Sequence, residues 1–106
     1  MLVELAVSNL GVITDLRLVF SDAMTVVTGE TGAGKTLIID AIDLLAGGRA
    51  DPAAVREGAD EAVIEGRFVT GSDEVVVRRV VPARGRSRAY VDGEMATART
   101  LSDVVA

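Results

Sequence analysis

A glycine-rich stretch at residues 28–36, TGETGAGKT, carries residue types that can hold phosphate groups. Gly29 is followed by four residues and then by Gly34, Lys35 and Thr36, which is the spacing of a loop for a nucleoside triphosphate. Glycines let the backbone curl with its N–H groups turned inward, and they allow close approach because no Cβ stands in the way. The stretch therefore predicts a triphosphate site rather than an ordinary glycine turn.

Two side chains of this stretch have chemistry of their own. Ten of the eleven basic residues are arginine, and the single lysine, Lys35, lies inside the motif. A compact ammonium can reach between the β- and γ-phosphates, where a broad planar guanidinium fits badly. The hydroxyl of Thr36 suits Mg²⁺, which bridges two phosphates and spreads their charge. We therefore expect a nucleoside triphosphate and Mg²⁺ as ligands.

The elements around the motif are those that it requires. Residues 24–28 form a short β-branched run typical of a buried strand, and an apolar stretch over 35–46, closed by two glycines, predicts a helix. Such a helix places its unpaired N–H groups and positive dipole end beneath the phosphates. Asp40 on this helix could orient a metal-bound water, but we favour a polar helix face formed by Asp40 and Asp43.

Further strands and short helical segments are predicted on both sides of this unit. They are a hairpin of strands within 3–7 and 13–20, a short helical turn from Asp51 to Arg56, a hairpin of strands 62–69 and 74–81, a strand over 87–91 ended by the turn pair Asp92 and Gly93, and a helix opened by a capping box of Thr100 and Asp103. The last helix has no end signal, so we expect the chain to be the front of something longer.

Composition excludes several kinds of chemistry. The 106 residues contain neither cysteine nor histidine, which rules out disulfides, thiolate chemistry, the common zinc sites and histidine general-base catalysis. No apolar run approaches the roughly 18 residues of a membrane span, and no signal peptide precedes the first strand. We therefore expect one domain over 1–106, located in the cytoplasm and without membrane contact.

Charge is distributed unevenly along the chain. The net charge is −5, yet residues 75–106 carry +3 and residues 1–74 carry −8. The positive part holds a group of five arginines, which are Arg78, Arg79, Arg84, Arg86 and Arg88. A nucleic-acid contact would use this group, although a solvated hairpin is the commoner explanation for such charges.

These segments together resemble a known family. The run VTGETGAGKTLIIDAIDLLAGGRA, with SNLGVI before it and GRSRAYVDG after it, closely resembles the N-terminal ATPase segment of the RecN family, bacterial recombinational-repair proteins of the SMC-like group. GETGAGKT is the most specific part, because related SMC and RecF heads usually carry Asn at the position of Thr31. Leu10, Asp92 and the short hairpin turn at 70–73 depart from the family pattern.

The resemblance implies an α/β P-loop fold, namely the N-terminal lobe of an ABC/SMC-type ATPase head, with a mixed sheet and antiparallel hairpins around the P-loop helix. It implies that ATP is bound by Gly29, Glu30, Thr31, Gly32, Ala33, Gly34, Lys35 and Thr36, with Mg²⁺ at Thr36. It also implies a homodimer of heads around ATP, a C-terminal lobe of the same head, DNA with double-strand breaks, and a nucleoid-associated location. Arg49 and Arg56 fall where related heads place basic residues near nucleotide or DNA, and local capping or surface ion pairing is an equal alternative.

Three parts of that family's machinery are missing from the sequence. It has no glutamine for a Q-loop, no run of four apolar residues ending in Asp-Glu for a Walker B strand, and no LSGGE-like signature. We therefore expect nucleotide binding, with hydrolysis only once a C-terminal lobe is present. Two alternatives remain open: a small P-loop kinase or other NTPase, which would usually place its loop after the first strand, and a non-enzymatic nucleotide- or DNA-binding module.

Overall fold

The described strands form one antiparallel sheet with a helix on one face. The computed structural model describes residues 2–19 and 33–105. Its elements are β1 (Leu2–Leu10), β2 (Ile13–Val19), α1 (Ala33–Leu45), a 3₁₀ helix (Pro52–Ala54), β3 (Glu61–Thr70), β4 (Asp73–Pro82), β5 (Arg88–Val91), β6 (Glu94–Ala96) and α2 (Ala98–Val105). The strand order is β2-β1-β3-β4-β5-β6, so the first strand lies inside the sheet. Within the described ranges, no helix is long and apolar enough to cross a membrane.

Both predicted hairpins are confirmed. Strands β1 and β2 pair antiparallel from Leu10 opposite Ile13. Strands β3 and β4 pair along their whole length, and a two-residue turn joins Thr70 to Asp73. Alternation of apolar and polar residues explains both, because each strand buries one face against the core and exposes the other.

The strand predicted over 87–91 is present as β5, and an unpredicted strand follows it. Asp92 and Gly93 have φ angles of +51° and +83°, as a tight type I′ hairpin turn requires. Asp92 also binds the neighbouring strand, since its backbone N–H donates to the Val76 carbonyl at 2.8 Å and its carboxylate accepts from the Val76 N–H at 2.9 Å. The added strand β6 has only three residues and no β-branched residue, so its composition gave no signal.

The sheet was predicted to be mixed, and every strand pair that the structure describes is antiparallel. The strand predicted over 24–28 lies outside the described residues. A parallel pairing of that strand therefore stays a prediction.

Helix α1 packs on the apolar face of the sheet and ends at Leu45, one residue before the predicted end, with the two predicted glycines closing it. It begins two residues before the predicted start and buries Ile38, Ala41, Leu44 and Leu45. Room for it comes from Gly66 of β3, where a Cβ would lie 2.6 Å from Cδ1 of Leu45. At its end the N–H of Gly48 donates to the Asp43 carbonyl at 2.8 Å and that of Gly47 to the Leu44 carbonyl at 3.2 Å, which is the Schellman pattern.

The predicted start of the last helix was wrong. Helix α2 begins at Ala98, and its capping residue is Thr97, whose Oγ1 accepts from the N–H of Thr100 at 3.1 Å. Thr100 therefore lies in the first turn. The sequence offered two threonines three residues apart, and strand β6, which ends at Ala96, leaves Thr97 as the residue that enters the helix.

This correction leads to a test with a matched pair of variants. Thr97→Ala is expected to lower the free energy of unfolding by about 1 kcal/mol, because an N–H of the first turn loses its acceptor. Thr100→Ala should cost less than half of that, since alanine is a better helix former than threonine. Urea denaturation of both variants measures the difference, and a larger loss for Thr100→Ala would contradict the observed cap.

Candidate nucleotide-binding site

The predicted phosphate-binding residues divide into two groups. Gly29, Glu30, Thr31 and Gly32 lie outside the described residues. Ala33, Gly34, Lys35 and Thr36 form the first turn of α1. The first N–H groups of a helix have no partner within the helix, and with the positive dipole end they make a binding place for phosphate. The second half of the motif thus lies at the start of α1, and its role in binding phosphate stays a prediction.

The sheet and the glycines described above hold this helix on one side, and its other side is open. Ile39 is 67% exposed, and Asp40 and Asp43 are exposed beside it. The exposure of the two carboxylates agrees with a polar helix face. A role of Asp40 in orienting a metal-bound water stays a prediction. No group of three metal-ligating side chains occurs among the described residues.

A cleft of about 230 Å³ lies along the later part of α1. Its lining residues are Leu10, Asp40, Asp43, Leu44, Arg49, Asp51 and Ala54. Three carboxylates and one guanidinium make its wall mixed in charge. Among the described residues, the middle and the end of α1 line this cleft.

Hydrogen bonds join the segment after α1 to the first hairpin. Asp51 caps the 3₁₀ helix by accepting from the N–H of Ala53 at 2.9 Å, as predicted, but this helix ends at Ala54 and does not reach Arg56. The N–H of Gly11 donates to the Ala54 carbonyl at 2.7 Å, and that of Arg56 to the Asn9 carbonyl at 2.8 Å. These bonds fix the backbone position of Arg56. Arg56 is half-buried, whereas Arg49 is exposed.

The structure separates one member of the predicted arginine group from the others. Arg78, Arg84, Arg86 and Arg88 are exposed, and Arg88 contacts Glu61 at 3.4 Å. Arg79 is only 4% exposed, so its assignment to a solvated or nucleic-acid-binding group was wrong. The missed signal is the alternation along β4, which places residue 79 on the buried face.

Arg79 binds the end of α1 directly. Its Nη1 donates to the carbonyls of Leu44 and Gly48, both at 2.9 Å, and its Nη2 donates to Oγ of Ser87 at 3.1 Å. Its Nε is buried and has no hydrogen-bond partner within the described part of the chain. Burial lowers the pKa of the Arg79 guanidinium, and the negative charge of Asp43 opposes that shift. An arginine nevertheless keeps its proton in proteins.

Comparison with known proteins identifies the family. Residues 4–100 match the AAA domain family. The chain belongs to this family. The chain is 40% identical over 115 residues to the DNA repair protein RecN of Streptomyces coelicolor, and 39% identical over 121 residues to RecN of Bacillus subtilis.

These alignments cover 92% and 98% of this chain but 20% and 21% of the two RecN chains. The chain thus spans about a fifth of the length of the curated relatives it matches. The similarity confirms the predicted resemblance to a RecN N-terminal segment.

Solved structures with the same fold include SMC ATPase heads. The chain superposes on the SMC head domain from Thermotoga maritima with a TM-score of 0.79 and 26% identity, over 97% of this chain and 41% of that one. It also superposes on a structure from work on the ATP-driven dimerization and DNA stimulated activation of SMC ATPases. The TM-score is 0.79 and the identity 24%, over 98% of this chain and 76% of that one. The predicted fold, the N-terminal lobe of a P-loop ATPase head of this type, is thereby confirmed.

Proposed function

We propose that this chain is the ATP-binding N-terminal lobe of a RecN-like DNA repair ATPase. The observation that carries the proposal is the position of GETGAGKT relative to α1. The helix starts inside the motif, so that Gly34, Lys35 and Thr36 lie in its first turn. Backbone N–H groups, a helix dipole and an ammonium then act on the same phosphates.

Within this proposal each residue of the motif has a role. Gly29, Glu30, Thr31, Gly32 and Ala33 supply the backbone that wraps the phosphates. Gly34 opens the helix to them, Lys35 neutralises the β- and γ-phosphates, and Thr36 binds Mg²⁺ through its hydroxyl. The single lysine at this position supports the assignment, because every other cation of the chain is an arginine.

The rest of the ATPase head would be supplied by further protein. In this proposal residues 1–106 are an incomplete part of a head, and a C-terminal lobe brings the Q-loop, Walker B and signature motifs. Exposed Ile39 and half-buried Ile42 on α1 support a covering lobe, because large apolar side chains are usually buried in a completed fold.

Two such heads would form a homodimer around ATP and act on DNA. One structure with the same fold comes from work on ATP-driven dimerization and DNA stimulated activation of SMC ATPases. We extend both properties to this protein. The similarity to RecN supports a role in DNA repair. We place that role in recombinational repair of double-strand breaks at the bacterial nucleoid.

Calorimetric titration of the chain with ATP·Mg²⁺, with phosphate release followed in the same samples, tests this function. We expect saturable binding that weakens at least about tenfold when EDTA removes Mg²⁺, since the ion bridges nucleotide and Thr36. We expect no phosphate release above the rate of free ATP. Turnover by the chain would instead support the small kinase or NTPase.

A second titration separates the non-enzymatic alternative. A DNA-binding module that acts by itself would bind an oligonucleotide without ATP, and the affinity would fall steeply with salt. The proposed lobe should bind such an oligonucleotide weakly, because carboxylates lie beside part of the arginine group: Asp60 lines the same cleft as Arg84, and Glu61 pairs with Arg88 at 3.4 Å. Tight oligonucleotide binding without any ATP binding would therefore contradict the proposal.

A further inference from the structure

One residue breaks the apolar pattern on the buried face of β4. That face carries Val75, Val77, Arg79 and Val81, all of which point toward α1 and the core. A guanidinium buried at such a position loses its hydration. Replacing buried charged groups by apolar residues of similar size is often neutral or even stabilising. Stability alone is therefore a weak reason for an arginine at position 79.

The contacts of Arg79 give it a more specific role. Its Nη1 holds the carbonyls of Leu44 and Gly48, which lie at the C-terminal end of α1. A cation there also complements the negative end of the helix dipole. Its Nη2 donates to Ser87 in the connection between β4 and β5. Arg79 of β4 therefore binds both this connection and the end of α1.

These bonds constrain α1 in a way that apolar packing does not. The contacts of Leu44 and Leu45 with the sheet are nondirectional, so they hold the helix down without fixing its rotation or its position along its axis. Hydrogen bonds weaken steeply away from their preferred angle. Two such bonds from one planar group therefore fix the rotation of α1 and its position along its axis at the C-terminal end.

We propose that Arg79 is a positioning residue for nucleotide binding, which fixes α1 against β4 and thereby orients the phosphate-binding turn at the other end of the helix. Lys35 and Leu44 are nine residues apart, so the two ends are separated by about 14 Å. Over that length a small rotation of the helix at the bonds with Arg79 displaces the N–H groups that face the phosphates. This role rests on the function proposed above.

Three variants separate positioning from stability. Arg79→Met removes the hydrogen bonds while retaining a long apolar stem, and Arg79→Lys keeps the charge but cannot reproduce the planar fork. Val77→Ala, two residues away on the same face, creates a cavity and serves as a destabilised control without loss of a hydrogen bond. Unfolding midpoints are measured first, and binding is then compared at a temperature well below the lowest midpoint.

We expect Arg79→Met to raise the Kd for ATP·Mg²⁺ about tenfold and Val77→Ala to leave it within about twofold, although Val77→Ala is the less stable protein. Arg79→Lys should lie between wild type and Arg79→Met. An unchanged Kd in Arg79→Met, or equal weakening in Val77→Ala, would overturn the proposal because affinity would then follow stability alone.

Amide hydrogen exchange without nucleotide gives an independent readout. Relative to the amides of β3, those of residues 34–37 are expected to exchange faster in Arg79→Met and at the wild-type rate in Val77→Ala. If the wild-type chain fails to bind ATP·Mg²⁺, the proposed function fails, while this exchange experiment still decides whether Arg79 controls the first turn of α1. Unchanged exchange in Arg79→Met would refute the positioning role.

Discussion

Replacing Lys35 with alanine is expected to weaken ATP·Mg²⁺ binding by about one to two orders of magnitude, because a charge-assisted bond to phosphate is worth roughly 1.5–3 kcal/mol. The backbone of Lys35 lies in the first turn of α1, at the positive end of the helix dipole. The free energy of unfolding should change little, since alanine is at least as good a helix former as lysine. Calorimetry and urea denaturation of the same sample measure both quantities.

Arg84→Ala is the matched control for this variant. It makes the same change in net charge, from −5 to −6, but alters an exposed residue in the connection between β4 and β5. Its affinity for ATP·Mg²⁺ should stay within about twofold of wild type if local contact matters more than total charge. Lys35→Arg should bind less tightly than wild type because of its broad head group. Equal losses in Lys35→Ala and Arg84→Ala would refute the assignment of Lys35.

The largest effect on stability is expected for Gly47→Ala, about 3 kcal/mol or more of the free energy of unfolding. Gly47 has a φ of +94°, and a Cβ there would lie 2.3 Å from the carbonyl oxygen of Ala98 and 3.3 Å from the N of Ser102. Both atoms belong to the backbone of α2, so no side-chain rotation relieves the overlap. Either α2 moves away from the end of α1 or the Schellman turn opens.

Gly58→Ala separates the contact from the backbone strain. Gly58 has a similar φ of +89°, but a Cβ there would meet nothing within 4 Å. Its loss of unfolding free energy should be about 1–2 kcal/mol, the cost of the strained backbone alone. The difference between the variants in urea denaturation therefore measures the contact of α1 with α2. If both lose the same free energy, α2 is free to shift and does not constrain α1.

Much of this architecture could be predicted because its signals are local. The hairpin turn at Gly71 and the type I′ pair of Asp92 and Gly93 follow from backbone angles that few residues adopt. The end of α1 is equally local, since Gly47 is the residue that enters the left-handed region after an apolar run. The phosphate-binding motif is a contiguous stretch as well, so its spacing could be recognised without a structure.

The predictions from sequence were wrong or incomplete where a local pattern was compatible with two structures. Two threonines three residues apart could each cap α2, and the end of β6 selected Thr97. Strand β6 itself forms because the turn at Asp92 and Gly93 returns the chain to β5, although its own residues have little strand propensity. The arginine group was judged by composition, whereas the side of β4 on which each arginine lies decides its environment.

The amino-acid sequence by itself determined the hairpins, the helix that begins within GETGAGKT, the family resemblance, and the pairing of an ammonium with a hydroxyl in the phosphate-binding motif. Each depends on residues close together in the chain, where spacing alone defines the chemistry. Only the tertiary structure decided that β1 lies between β2 and β3, that α2 packs against Gly47 in the turn after α1, and that Arg79 binds the carbonyls at the end of α1. These contacts join residues far apart in the chain, and they form because the burial of one continuous apolar face brings those residues together.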